Sequence, residues 1–346
     1  MLITHLGEYS LNRYEHGGNI KAFSEKIGCK IDEVIDLSSN INFIKPKIDI
    51  DFNNLNISAY PNYDELQSAI ANLYGVKSSQ LELFNGATIA IHSLFRLLNL
   101  KHCTLYAPLY LEYKKSAKSY GYEIELVNRW DNIYKEIKPK SLVIFVNPST
   151  PDGKFYDLDR LIQQWIAKGC SILIDESFLD FTPYTSAIKY LKEYNKLYIL
   201  KSMTKFYSSA GIRIGAVIST QTNIEAIKSQ EPLWKISEFD SQYLQSALRD
   251  NSFSKKAKEI NNKNRTELVN ILKKSPYIEK VYDSTANFIL VKLKNIDAKA
   301  FQKKLISSKI MIRDCSNFDF LDNRFIRIAV KSSFFNNLLT QSISMR

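Results

Sequence analysis

The sequence predicts an α/β fold built on a mostly parallel sheet with helices on both faces. Short apolar runs of strand length recur through the middle of the chain, and amphipathic stretches of helical period separate them. A length of 346 residues suffices for one large unit and a smaller one, each with its own core.

Taken in order, Phe84-Asn85-Gly86-Ala87-Thr88 reads as a glycine turn entering a helix, whose first N–H groups favour a phosphate; an ordinary helix start gives the same pattern. Thr104 to Ala107 is the first strand of the series. Pro108-Leu109-Tyr110 follows it, leaving an aromatic ring free either to stack on a planar group or to pack in the core. Leu142 to Val146 is the next strand, and it runs into the breaker-rich turn Asn147-Pro148-Ser149-Thr150-Pro151-Asp152-Gly153. Leu158, Leu161, Ile162, Trp165 and Ile166 recur at helical spacing and predict a helix from Leu158 to Lys168. Strands over Ser171 to Ile174, Leu197 to Leu200 and Ile214 to Ile218 complete the pattern. In parallel sheets ligands gather at the carboxyl ends of the strands. Those ends carry Asn147, then Asp175, then Ser202 and Lys205.

Composition narrows the classes. Cys29, Cys103, Cys170 and Cys315 are scattered, with no paired spacing and no histidine cluster, so free thiols and no metal site are expected. A net charge of +11 attracts anions, but the Lys and Arg residues are spread along the chain and no nucleic-acid module is recognisable. No apolar stretch approaches the roughly 20 residues that span a bilayer. Met1-Leu2-Ile3-Thr4-His5-Leu6-Gly7-Glu8 lacks a basic segment followed by an apolar one, so no signal peptide is expected and the protein is expected in the cytoplasm.

Lys205 lies in Ser202-Met203-Thr204-Lys205, with Arg213 following. A lysine that attacks an aldehyde must be neutral part of the time, and partial burial beside a fixed cation lowers its pKa. Ser202 and Thr204 can donate to a phosphate, and Arg213 can neutralise it. An aspartate facing a pyridine nitrogen keeps it protonated, so that the ring accepts electrons when a bond at the substrate Cα breaks; Asp175 suits that role. Asn147 suits a contact to the ring's phenolic oxygen or to a carboxylate. Singly, Lys205 also reads as a solvated strand end, Asp175 as a helix cap and Asn147 as a turn residue. Their order at three successive strand ends points to pyridoxal phosphate chemistry.

These residues resemble the fold-type I pyridoxal phosphate enzymes, the aspartate aminotransferase superfamily, over nearly the whole chain. Within it the chain is most similar to the branch holding histidinol-phosphate aminotransferase and L-threonine-O-3-phosphate decarboxylase. The resemblance implies an N-terminal arm and substrate-binding segment over 1–45, a large cofactor-binding domain with a mostly parallel sheet over 46–235, and a smaller α/β C-terminal domain over 236–346. It implies that Lys205 bonds the aldehyde of pyridoxal 5′-phosphate, Asp175 faces its ring nitrogen and Asn147 its phenolic oxygen. Tyr110 would stack on the ring, and Gly86, Ala87, Thr88, Ser202, Thr204 and Arg213 would hold the phosphate. Tyr60, in Ala59-Tyr60-Pro61, resembles the tyrosine that reaches the neighbouring subunit's cofactor, which implies a homodimer with shared active sites.

The two ends of the chain bear on the reaction. His16-Gly17-Gly18-Asn19, Asp36-Leu37-Ser38-Ser39-Asn40-Ile41-Asn42, Ile312-Arg313-Asp314-Cys315 and Phe325-Ile326-Arg327-Ile328 resemble the threonine-phosphate decarboxylases. By that resemblance Arg327 meets the substrate α-carboxylate, while His16, Asn40 and Arg313 meet its phosphate. Two separated arginines suit a substrate with two anionic ends. Read alone, Arg313 is a surface ion pair, Arg327 an arginine at a strand edge and His16 part of a turn. Phe178 stands where histidinol-phosphate aminotransferases usually carry tyrosine, Phe43 where relatives commonly place proline, and Asn147 to Gly153 loosens the pattern Asn-Pro-Asn-Asn-Pro-Thr-Gly. The implied activity is decarboxylation of L-threonine O-phosphate or L-serine O-phosphate to a phosphorylated amino alcohol, as in cobamide linker synthesis or for surface polysaccharide. An aminotransferase of the histidinol-phosphate type is the alternative. A regulatory descendant of the fold has no appended DNA-binding segment to support it.

Overall fold

The computed structural model describes residues 16–344. The segment Met1 to Glu8, on which no signal peptide is expected, lies outside them. In chain order the elements begin with α1 (Ile20–Ile27), β1 (Ile35–Asp36), α2 (Asp64–Tyr74), β2 (Leu81–Phe84), α3 (Ala87–Leu98), β3 (His102–Ala107), α4 (Leu111–Ser119) and β4 (Glu123–Asn128). Next come β5 (Leu142–Val146), α5 (Asp159–Ala167), β6 (Ser171–Asp175), β7 (Leu197–Ser202), α6 (Met203–Phe206), β8 (Gly215–Ile218), α7 (Gln221–Lys228) and α8 (Glu238–Arg249). The remainder is α9 (Phe253–Lys274), β9 (Ile278–Val281), β10 (Phe288–Leu293), α10 (Ala298–Lys304), β11 (Ile310–Met311), β12 (Arg313–Asp314), β13 (Phe325–Ala329) and α11 (Ser333–Ser344).

The period-2 alternation of the central strands builds the main layer. Val143, Phe145, Ile172, Ile174 and Ile199 face one core with Leu66 and Ile70 of α2, Leu161 and Trp165 of α5 and Leu244 of α8. Leu142, Ile144, Val146, Leu173 and Leu200 face the other core with Ile91 and Leu94 of α3, Tyr113 of α4 and Ile224 of α7. Burial on both faces is why these strands read as unbroken apolar runs. The sheet has seven strands in the order β2-β8-β7-β6-β5-β3-β4, and only the pairings of β8 are antiparallel. The predicted strands and the helix in α5 fall in place to within about two residues, the usual uncertainty of element ends. The edge strand β4 escapes a search for apolar runs because Glu123 and Glu125 sit on its accessible positions.

A second sheet, β12-β13-β10-β9, is antiparallel. Its core joins Ile289 and Val291 of β10 and Ile326 and Ile328 of β13 to Leu268 and Leu272 of α9 and Leu339 of α11. The long helix α9 serves both cores, because Phe253 and Ala257 at its start pack with the large sheet. The segment after β1 joins the two layers. β1 pairs in parallel with β11, the Leu37 N–H donates to the Met311 carbonyl, and the Ala329 N–H donates to the Leu37 carbonyl. Ser38 to Ile41 therefore lie between the sheets, against the carboxyl ends of the parallel strands.

Candidate active site

Strand order reverses between β3 and β5, and a crevice forms at the carboxyl ends of the strands on either side of such a switch. There the structure has a cavity of about 400 Å³. Its wall takes Tyr110 from beyond β3, Thr150 from beyond β5, Asp175 from β6 and Ser202, Thr204 and Lys205 from β7 and α6. Across from these stand His16, Asn40, Arg313 and Arg327. Asp175 is the one carboxylate among the described lining residues, against Lys205, Arg213, Arg313 and Arg327, so the cavity favours anions.

At one end, helix α3 starts on Gly86, whose φ of +85° a side chain rarely adopts. A Cβ at Gly86 would come within 2.5 Å of Arg213 Nη2, so the bare glycine lets the guanidinium lie against the helix start. Ile89 and Ala90 donate back to the Gly86 carbonyl, and the first two N–H groups, of Ala87 and Thr88, have no carbonyl of their own helix to bind. Arg213 Nη1 is held by Thr204 Oγ1 at 3.3 Å and the Ala210 carbonyl at 3.0 Å. Helix N–H groups, an arginine and the nearby Ser202 make a site for a phosphate dianion.

Asp175 is fixed from three directions. Tyr113 OH donates to Oδ2 at 2.8 Å, while the Ser177 N–H and Oγ donate to Oδ1 at 2.9 and 2.5 Å. Burial, with the Asp175 charge next, holds the Tyr113 phenol well above its ordinary range, so it stays a donor. Lys205 faces the same space, its Nζ 5.7 Å from the centre of the Phe178 ring. Enclosure by protein pushes its pKa down to about 8; Arg213 and Arg327 add to the effect and Asp175 opposes it. Near neutral pH a real fraction of Lys205 is therefore an uncharged nucleophile. Tyr110 packs near His16, with ring centroids 5.3 Å apart, and approaches Thr88 Oγ1 at 3.4 Å.

The opposite wall is built by strand register. Arg313 on β12 and Arg327 on β13 are direct cross-strand partners, so both guanidinium groups reach the cavity from one face. Arg327 Nη1 donates to Thr150 Oγ1 at 3.1 Å and Nη2 to the Ser38 carbonyl at 3.4 Å, while its buried Nε meets no protein acceptor. Burial, with Arg313 adding to it, lowers the Arg327 pKa to about 10. Arg313 Nη2 donates to Asn317 Oδ1 at 2.8 Å. The Asn40 Oδ1 is buried and meets no protein donor. His16 Nε2 lies 3.5 Å from Glu112 Oε1; burial lowers the imidazole pKa and Glu112 opposes that. The Gly17 that follows it packs so closely that a Cβ would overlap the Ser38 carbonyl, which explains a glycine there.

Two expected residues stand elsewhere. Asn147 is buried, but its amide is committed to the backbone of Tyr156, with Nδ2 to the carbonyl at 3.0 Å and the N–H to Oδ1 at 2.9 Å. It does not line the cavity, and Thr150 of the same loop does. The Asn147 N–H still bonds the Asp175 carbonyl at 2.8 Å, so at Asn147 the chain has not yet left the sheet. Tyr60 is 75% exposed and stacked on Trp234 with centroids 4.2 Å apart, away from this chain's cavity. The residues that sequence reasoning passed over are Thr150, Ser177 and Tyr113. Ser177, two residues beyond an aspartate at a strand end, carried an Asx-turn signal; Tyr113 carried none. Among the described residues no helix is long and apolar enough to cross a membrane, and no group of three or more acidic, Cys or His side chains could hold a metal.

A lysine of lowered pKa, a fixed aspartate and a helix-end anion site at the switch point of a parallel sheet define an enzyme built around a phosphorylated, aldehyde-bearing cofactor. The profile of the aminotransferase class I and II family matches residues 33–339, and the chain belongs to that family of pyridoxal 5′-phosphate-dependent enzymes. The chain is 27% identical to the threonine-phosphate decarboxylase of Salmonella typhimurium over 95% of both chains. It is 29% identical to the L-serine phosphate decarboxylase of Campylobacter jejuni, covering 82% of this chain and 78% of the relative. The crystal structure of the histidinol-phosphate aminotransferase from Clostridium acetobutylicum matches with a TM-score of 0.78 at 28% identity, covering 90% of this chain and 98% of that one. The cavity fits the cofactor on its own terms. Gly86 leaves room beside unpaired helix N–H groups for a phosphate, and Asp175 and Lys205 flank the space a ring would take.

Proposed function

We propose that the protein is a pyridoxal 5′-phosphate-dependent decarboxylase of an O-phosphorylated amino acid, L-threonine O-phosphate or L-serine O-phosphate. The products are carbon dioxide and a phosphorylated amino alcohol, of the kind used as a cobamide linker. The observation that carries this reading is the pairing of Arg313 and Arg327 on adjacent strands at one cavity wall, which suits a substrate with two anionic ends. The likeness to two phosphoamino-acid decarboxylases supports it.

In this reading Gly86, Ala87, Thr88, Ser202, Thr204 and Arg213 hold the cofactor phosphate, and Tyr110 covers the ring. Asp175 faces the ring nitrogen, with Tyr113 and Ser177 keeping it in place. Bound pyridoxal 5′-phosphate supplies an electron sink for the pair left when a bond at Cα breaks. Arg327 holds the substrate carboxylate, and its fixed position sets the angle at which the Cα–carboxylate bond stands. Arg313, Asn40 and His16 receive the substrate phosphate. Lys205 would bond the cofactor aldehyde, and its amine is placed to hold the proton that Cα would take up once carbon dioxide has left. Tyr60 reaches a second copy's cofactor in a cytoplasmic homodimer.

Transamination of histidinol phosphate is the second reading, favoured by the likeness to an aminotransferase of known structure. Supplying the loaded enzyme with each phosphorylated substrate decides between them. Carbon dioxide release from L-threonine O-phosphate or L-serine O-phosphate without 2-oxoglutarate is expected. Glutamate formed from histidinol phosphate and 2-oxoglutarate, with no carbon dioxide from either amino acid, would sink the proposal. Preference between the two amino acids turns on one methyl group, a difference of about 1–3 kcal/mol in a shaped pocket.

A further inference from the structure

We propose that Lys114 and Asp319 are positioning residues: their ion pair sets the Arg313 guanidinium against the substrate's phosphate, and so tunes affinity for phosphorylated ligands that neither residue touches. This rests on the reading above, in which Arg313 receives that phosphate. Lys114 lies on α4, which packs on the large sheet, and Asp319 lies in the loop between β12 and β13 of the smaller one. Lys114 Nζ and Asp319 Oδ1 are 2.5 Å apart, with side chains only 25% and 19% exposed. Among the described residues no other ion pair joins residues 46–235 to residues 236–344.

The loop carries groups that orient Arg313. Asn317 Oδ1 accepts from Arg313 Nη2 at 2.8 Å, and the Phe318 ring lies beneath the guanidinium, its centre 5.5 Å away. Phe318 also lines the cavity, one residue before Asp319. The loop folds back through the Phe318 N–H on the Cys315 carbonyl at 3.1 Å and the Leu321 N–H on the Phe318 carbonyl at 3.2 Å. Phe320 has a φ of +67°, in the left-handed region that a bulky side chain rarely adopts. Such a conformation persists only where surrounding contacts impose it. The anchor at Asp319, immediately before Phe320, is one of them.

The other end of the anchor is rigid. Buried Tyr113 fixes α4 to the large sheet, and its OH donates to Asp175 at 2.8 Å. One residue earlier, the buried Glu112 lies 3.5 Å from His16 Nε2. Glu112, Tyr113 and Lys114 thus reach from a single helical turn to His16, to Asp175 and to the loop behind Arg313. Two of the groups proposed to receive the substrate phosphate are therefore placed from the same helix that places Asp175.

Lys114→Met and Asp319→Leu each break the pair. In cofactor-loaded enzyme both should raise KM for L-threonine O-phosphate by about 5-fold, the upper range for a partly exposed ion pair. The dissociation constant of the phosphorylated amino alcohol, read from the cofactor absorbance, should rise equally. With only binding affected, kcat should move by less than about 2-fold, and Lys114→Arg should keep the affinity. Asp319→Leu separates positioning from charge alone, because deleting an anion near the pocket would by its field tighten binding of a dianion. Tighter binding in Asp319→Leu, unchanged affinity in both variants, a loss confined to kcat, or weak binding in Lys114→Arg would overturn the inference. Arg313→Gln tests the underlying reading and should weaken both ligands more than either pair variant does. Wild-type affinity in Arg313→Gln would overturn the phosphate reading itself, and this inference with it.

Discussion

Lys205 is held where its ammonium is least comfortable, and that has a measurable cost in the cofactor-free protein. Its pKa of about 8 lies below the ordinary 10.5, chiefly through burial. Between those values the unfolded chain binds more protons than the folded one, so this group makes stability rise as pH climbs from about 8 towards 10.5. Below about 8 the full cost of burying the charge is present. Lys205→Met should flatten that rise, read as the difference between wild-type and variant urea-unfolding curves at several pH values; parallel curves would contradict the assignment. The same variant should lose turnover by at least about 100-fold, as expected for a group that moves a proton. Asp175 and Lys205 are legible in the sequence because the ends of apolar strands announce them, and Arg213 because it follows close after Lys205. Thr150 is not, because only the folded loop shows that Asn147 is still in the sheet and that the chain meets the cavity at Thr150.

At the level of elements, the placing of the cavity side chains depends on how strand ends are tied. Glu176 and Lys201 follow and precede the cavity residues Asp175 and Ser202, and they form a buried ion pair at 2.6 Å between β6 and β7. Ser186 Oγ and the Ala187 N–H also donate to Glu176 at 2.6 Å, and Lys201 lies 4.3 Å over the Tyr74 ring. Removing one charge leaves the other unpaired, so Lys201→Met should destabilise the protein by about 3–5 kcal/mol, and pairing it with Glu176→Leu should recover part of that. Denaturant unfolding of the three variants checks this, and additive losses would contradict it. The start of α3 makes a second test. Gly86→Ala strains a positive φ and pushes Arg213 away, so cofactor retention on dialysis should fall sharply with the thermal midpoint of the cofactor-free protein much less changed. The alternation of apolar runs made the sheet legible; pairing of β1 with β11, across the length of the chain, had no local signal.

On the scale of the whole molecule, an exposed apolar surface remains among the described residues. Tyr60, Leu233 and Trp234 are 75%, 72% and 51% exposed and border one groove, apolar exposure of the kind that marks contact sites. This supports the proposed homodimer, in which Tyr60 serves a second copy. Leu233→Lys should shift sedimentation towards the monomer and weaken cofactor retention; an unchanged sedimentation profile, or a wild type that is already monomeric, would count against the shared site. Function was less legible than fold at this scale, because the strand pattern carries the family while the proposed reaction depends on how the two sheets set Arg313 and Arg327 against Lys205. The most direct measurement follows the carboxylate itself. Loaded enzyme in deuterated water is given L-threonine O-phosphate labelled with carbon-13 at the carboxylate, without 2-oxoglutarate. Labelled carbon dioxide is expected in equal amount with a phosphorylated amino alcohol bearing one solvent-derived deuterium at the former Cα. Retention of the label in a 2-oxo acid or in unreacted substrate would contradict it.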